Sequence, residues 1–94
     1  MEEATKLKIV FVGNFSTDSV GEPETAWALE KEGHIVVRVS EEYGKIQEVE
    51  AECVDADFLL FSKCRIGTWR EVSEMFQRVK CPKVAWCYDL YAGI

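Results

Sequence analysis

Apolar residues gather in four nearly continuous runs, 7–12, 35–39, 58–61 and 84–88, divided by stretches in which they recur every three or four positions. Short unbroken apolar runs predict strands covered on both faces, the habit of parallel sheets rather than half-exposed antiparallel ones. Three helical segments alternate with them. The first is predicted to begin near Pro23, whose fixed φ suits the first helical position, and to stop at Gly33, a left-handed C-terminal cap. In the second, Ile46, Val49 and Cys53 keep helical spacing, while Gly44 and the acidic residues of 48–52 mark it as short and exposed. The third opens on a capping-box pattern, Thr68 with Glu71, and its stripe Trp69, Val72, Phe76 and Val79 recurs at three and four residues. Its place in that stripe assigns Trp69 to packing rather than to stacking on a ligand.

Strand and helix therefore alternate from end to end, which predicts an α/β, Rossmann-like three-layer sandwich with helices on both faces of a parallel four-stranded sheet. Right-handed crossovers leave few arrangements, and the strand order expected among them is 3-2-1-4. That order makes the first and fourth strands neighbours. Ligands of open α/β sheets bind beyond the carboxyl ends of the strands where the order reverses, so loop 13–22 and the segment Asp89, Leu90, Tyr91 are expected to face one crevice. Ser62, Lys63 and Arg65 follow the third strand, which this order puts at the outer side, away from the crevice.

Composition narrows the partners. Ninety-four residues with 48% hydrophobic content bound the chain to one small domain, and a formal charge of −6 speaks against nucleic-acid backbones and anionic membrane surfaces. No apolar run approaches the roughly 20 residues of a membrane span, and the amino terminus lacks a basic segment followed by an apolar one, so a cytoplasmic protein is expected. Cys53, Cys64, Cys81 and Cys87 form no CxxC pair and match neither zinc spacing nor a disulfide scaffold, which reads as reduced, mostly buried thiols. His34 has no Cys or carboxylate at metal-ligand spacing and is read as structural; no metal and no cofactor is expected.

Loop 13–22 holds the candidate chemistry. It lacks the Gly-Lys-Ser/Thr ending of a P-loop and does not fit G-x-G-x-x-G, and Glu22 and Glu24 bring negative charge to the helix start, where a phosphate would otherwise sit. A hydroxyl-rich ligand suits it better. Gly13 permits a sharp turn, Asn14 both donates and accepts, and Ser16, Thr17 and Ser19 add hydroxyls; the plain alternative is a polar βα loop with turn residues and a helix cap. Asp89 either binds a hydroxyl or acts as a general base, or else caps the following segment.

The stretch KIVFVGNFSTDSVGEPETAWALEKEGHIVVRV resembles the opening of the amino-terminal half of GT-B glycosyltransferases, in particular the family 4-like and spore-maturation-type bacterial groups. The matching residues are Gly13, Asn14, Phe15, Ser16, Gly21, Glu22, Glu24, Leu29, Glu30, Gly33 and His34, with ADFLLFSKC and PKVAWCYDLY similar to the third and fourth strands. Pro23 departs from the commoner Thr. The resemblance implies a chain 1–94 that is the amino-terminal, acceptor-side half of a two-domain enzyme, with Gly13, Asn14, Phe15, Ser16, Gly21 and Glu22 holding a sugar or other hydroxyl-rich acceptor. It further implies that the nucleotide-sugar is held by a second half, so that the chain alone does not transfer sugar. The competing expectation is a noncatalytic Rossmann-like binding or interaction module, docking through Trp86, Tyr88 and Tyr91. A response-regulator-like domain fits poorly, because Gly13 and Asn14 stand where an acidic cluster belongs.

Overall fold

The apolar strands at 8–13 and 58–61 take the centre of the sheet, and those at 35–40 and 83–85 take its edges. The computed structural model describes residues 6–15, 21–61 and 66–85. Its elements run β1 (Lys8–Gly13), α1 (Glu22–Lys31), β2 (Ile35–Ser40), α2 (Ile46–Cys53), β3 (Phe58–Phe61), α3 (Trp69–Arg78) and β4 (Lys83–Ala85). Every strand pairing is parallel, and the result is the Rossmann-like α/β sandwich expected.

The strand order is β2-β1-β3-β4, which corrects the expected 3-2-1-4. β1 lies between β2 and β3, and β4 pairs with β3 instead of β1. Charge and burial explain the difference. The 3-2-1-4 order would put β2 inside the sheet, with Arg38 under a helix layer, and would leave the wholly apolar β3 at an edge; burying an unpaired guanidinium is costly. In the observed order Arg38 stands on an edge strand, where it reaches Glu30 of α1 at 2.6 Å and keeps contact with solvent. The four buried residues Ile9, Val10, Phe11 and Val12 then occupy a strand flanked on both sides.

Travel across the sheet reverses after β2, so crossovers of one hand must put α1 on one face and α2 and α3 on the other. The core divides accordingly. On the α1 face Ile9, Phe11 and Leu60 pack with Ala26, whose small side chain lets the helix approach closely. On the opposite face Val10, Val12, Val39 and Leu59 meet Val49 and Cys53 of α2 and Val72 and Met75 of α3.

The amino edge of the sheet is tied down by polar side chains. Leu7 N–H donates to His34 Nδ1 at 3.1 Å and Lys8 N–H to Asp57 Oδ2 at 2.7 Å, so His34 has the structural place expected of it. The Lys8 ammonium contacts Asp55 and Glu52 at the end of α2; Asp55 in turn is held below the usual carboxylate range chiefly by that ammonium.

The ends of the helices follow the local signals. Gly33 has φ +98°, the left-handed conformation that closes α1. At α3 the Glu71 N–H donates to Thr68 Oγ1 at 3.2 Å, and the Thr68 N–H donates to Glu71 Oε1 at 2.9 Å. These bonds hold the Glu71 carboxyl below its ordinary 4.5, so its stabilising contribution is complete above that value and is lost as pH falls through the lower folded value. Urea midpoints measured between about pH 6 and 3 are expected to fall less steeply for Glu71→Gln, which keeps the acceptor oxygen without the titration. Equal slopes would remove Glu71 from the acid response.

One expectation about α3 is corrected. Val72 and Met75 are buried and Phe76 packs on Phe61 with ring centroids 5.0 Å apart, but Trp69 is 86% exposed. Geometry supplies the reason. Phe76 already sits over Phe61, the last residue of β3, and Trp69 begins the helix seven residues earlier, roughly 10 Å along its axis and past the end of that strand. The stripe keeps its spacing but runs out of sheet to cover.

Candidate functional site

With β1 between β2 and β3, the order reverses at the β1/β3 boundary, and the ligand-binding position moves there. Val12 and Phe61 are partners in register at that boundary, so the carboxyl ends of β1 and β3 lie side by side. Ser62, Lys63 and Arg65 thus follow a strand adjacent to β1, not an outer one; they, Cys64 and Ser16, Thr17 and Ser19 lie outside the described residues. Asp89, Leu90 and Tyr91 also lie outside them. The strand leading to Asp89 is separated from β1 by β3, roughly 10 Å across the sheet, which removes the adjacency on which its pairing with loop 13–22 was based.

The turn after β1 is built from short-range polar bonds. Asn14 N–H donates to Glu22 Oε2 at 2.7 Å, and Gly21 N–H donates to Glu24 Oε2. One backbone donor in the turn after β1 and one at the N-cap of α1 are therefore occupied by carboxylates from the first turn of α1. Gly21 has φ +108°, a conformation that favours glycine and lets the chain enter α1 abruptly. Gly13 is needed for a different reason: a Cβ there would lie 3.0 Å from Glu22 Cγ and 3.3 Å from its Oε2, against the carboxylate that receives Asn14. The Gly13 carbonyl accepts from Glu41 N–H at 2.9 Å, tying this turn to the end of β2.

Phe15 packs edge-on against Phe11 at 5.2 Å between centroids, and the Arg38 guanidinium lies 5.8 Å from the Phe15 ring. Gly13, Asn14, Phe15, Gly21 and Glu22 are thus brought together, with Glu22 spent in part on the turn itself.

On the other face two turns that sequence reasoning had not singled out meet beside the carboxyl end of β1. Ile46, at the start of α2, seats on Gly67, where a Cβ would come within 2.9 Å of its Cδ1; Ile66 seats on Gly44, where a Cβ would lie 3.3 Å from its Cδ1 and 2.5 Å from Ser40 O. Between the start of α2 and the side of α3, from Gly67 along Glu71 and Glu74 to Arg78, this leaves a pocket of about 330 Å³. The signal was present as a glycine shortly before each helix, Gly44 before Ile46 and Gly67 before Trp69, though nothing in one sequence says that the two turns touch.

A larger cavity of about 520 Å³ lies at the opposite, amino edge of the sheet, between the last turns of α2 and α3. Cys53 and Cys81 line it as free thiols in hydrogen-bond contact, and burial, then the neighbouring Cys81, pushes Cys53 up to about 12. A thiol so displaced stays protonated near neutrality and is a poor nucleophile. Among the described residues no group of three His, Cys, Asp or Glu side chains is arranged to hold a metal ion, and no helix is long and apolar enough to cross a membrane. Family models, curated proteins and solved structures give no match to this chain.

Proposed function

We propose that this chain is an acceptor-side domain of the GT-B glycosyltransferase type, holding an uncharged, hydroxyl-rich acceptor at the carboxyl edge of its sheet and contributing to sugar transfer only together with a second, nucleotide-sugar-binding half. The observation that carries the reading is that the turn after β1 and the N-cap of α1 each give a backbone donor to a carboxylate of the first turn of α1. Nucleotide-binding Rossmann folds leave these backbone donors open and seat a pyrophosphate on them. Here Glu22 and Glu24 already receive the Asn14 and Gly21 N–H groups. A phosphate would have to displace both and remain beside their charge, whereas a hydroxyl can donate to a carboxylate that keeps its backbone bond. Asn14 and Phe15 stand at the same turn as a polar and an aromatic contact. No general base is assigned, since β4 stands one strand away from β1.

The test is an amide NMR titration joined to a transfer assay. UDP and UDP-glucose at millimolar concentration are expected to leave the Asn14 and Gly21 amides unshifted, neutral glycosides to shift amides along the carboxyl edge, and the chain alone to turn over no UDP-glucose. Nucleotide binding at that turn, or transfer by the isolated chain, would overturn the reading. The second reading, a noncatalytic interaction module, has its own observation in the exposure of Trp69 at the same edge; Trp86, Tyr88 and Tyr91 lie outside the described residues. Self-association in light scattering that Trp69→Ala abolishes would favour it.

A further inference from the structure

We propose that the pocket between α2 and α3 is the seat of one uncharged polyhydroxylated ring, a single pyranoside or cyclitol. The proposal rests on the acceptor reading above and gives that acceptor its place. Position is the first argument. The starts of α2 and α3 flank the carboxyl end of β1 on their shared face, beside the β1/β3 boundary where strand order reverses. The 520 Å³ cavity, although larger, lies at the amino ends of the strands and lacks that relation.

The second argument is rigidity. Ile46 against Gly67 and Ile66 against Gly44 interlock the two turns that form the rim, so the walls are set before any ligand arrives. Preformed walls avoid the ordering cost that weakens binding to mobile loops.

Chemistry is the third. Lys45, Gln47 and Glu74 line the pocket and, among the described residues, make no hydrogen bond or ion pair with another side chain. Glu71 gives one oxygen to Thr68, and Arg78 is paired with Glu50 at the far end. The lining carries both signs, Glu71 and Glu74 with Lys45, while Arg78 is already paired with Glu50, so the pocket has no surplus of positive charge to offer an anion and a cation meets Lys45 there. A ring of hydroxyls donates to the carboxylates and accepts from the ammonium and the amide. Ile46 and Ile66 supply apolar wall for its C–H face. At about 330 Å³ the pocket is at the small end of ligand sites, which span roughly 300–1,000 Å³, and this limits the occupant to about one ring.

Binding is measured on the full chain by amide NMR titration with methyl glucoside, methyl mannoside, methyl galactoside and myo-inositol, and with glucose 6-phosphate as the anionic comparison. At least one neutral probe is expected to shift amides of 44–47, 67, 71 and 74. Gln47→Ala and Glu74→Ala, both at exposed positions and checked for folding by circular dichroism, are expected to weaken it about tenfold each, the loss of one hydrogen bond involving a charged or well-placed group. Shifts confined to 13–15 would overturn the pocket while leaving the acceptor reading intact. The absence of shifts with every neutral probe would overturn both. Tighter binding of glucose 6-phosphate than of the methyl glycosides, or unchanged affinity in both variants, would refute the pocket as the seat of an uncharged ring while leaving the acceptor reading intact.

Discussion

Phe11→Ala is expected to leave the chain largely unfolded at physiological temperature. Phe11 is fully buried on the central strand β1 and packs between the α1 face of the core and the Phe15 ring. Removing a buried phenyl group takes away its transfer free energy and leaves a cavity, together about 3–5 kcal/mol. A domain of this size has on the order of 5–15 kcal/mol of stability in total, so the loss approaches the whole at the lower end of that range. With urea slopes of roughly 1–3 kcal/mol/M, the midpoint should fall by on the order of 2 M. Trp69→Ala, a larger truncation, should move it little, within about 0.5 kcal/mol, because that side chain is 86% exposed. Similar losses from the two variants would refute the burial assigned to either residue.

Gly44→Val should be nearly as damaging, for a reason of space rather than lost contact. A Cβ at Gly44 would stand 2.5 Å from Ser40 O and 2.5 Å from Val39 Cγ1, the first a backbone atom and the second part of the buried core. Neither can retreat cheaply: Ser40 O accepts from Gly44 N–H at 2.7 Å, and Val39 is held between β1 and the α2 face. Overpacking of this kind costs typically about 1–3 kcal/mol, and a valine adds branches on both sides of the clash. Since about 1 kcal/mol shifts the melting temperature of a domain this small by roughly 4–8 °C, a drop of about 10 °C or more is expected. Gly33→Ala provides the contrast. Its φ of +98° strains any side chain, but nothing lies within 4 Å, so the penalty is confined to the about 1–2 kcal/mol of a left-handed residue and the core spectra stay unchanged. A Gly44→Val protein that melts like the wild type would mean that Gly44 is not packed against Ser40 and Val39.

Element identity was legible because each signal is local. Pro23 and Gly33 bracket α1 closely, Thr68 with Glu71 marks the start of α3, and the apolar runs mark the strands. Strand order was not read correctly, although Arg38 carried the information: a charge in the middle of IVVRVS argues for an edge, and the crossover rules alone do not weigh it. Trp69 shows a different gap. Helical spacing tells which face a residue shares but not whether the sheet extends beneath it, and α3 begins before β3 has anything to offer. The candidate site was half legible for the same reason. Gly13, Asn14 and Glu22 belong to one continuous turn, whereas Gly44 and Gly67 become meaningful only when strand order brings separate turns together.

The two outermost strands have a bearing on how copies of this protein tolerate one another. Among the described residues β2 and β4 each have a neighbouring strand on one side only, and β2 otherwise offers the run Ile35, Val36, Val37, Val39, a composition suited to strand addition. Arg38 interrupts that run and Lys83 opens β4, so a second sheet approaching in register would bring cation against cation. The charges that keep these strands out of the interior thereby discourage edge-to-edge aggregation.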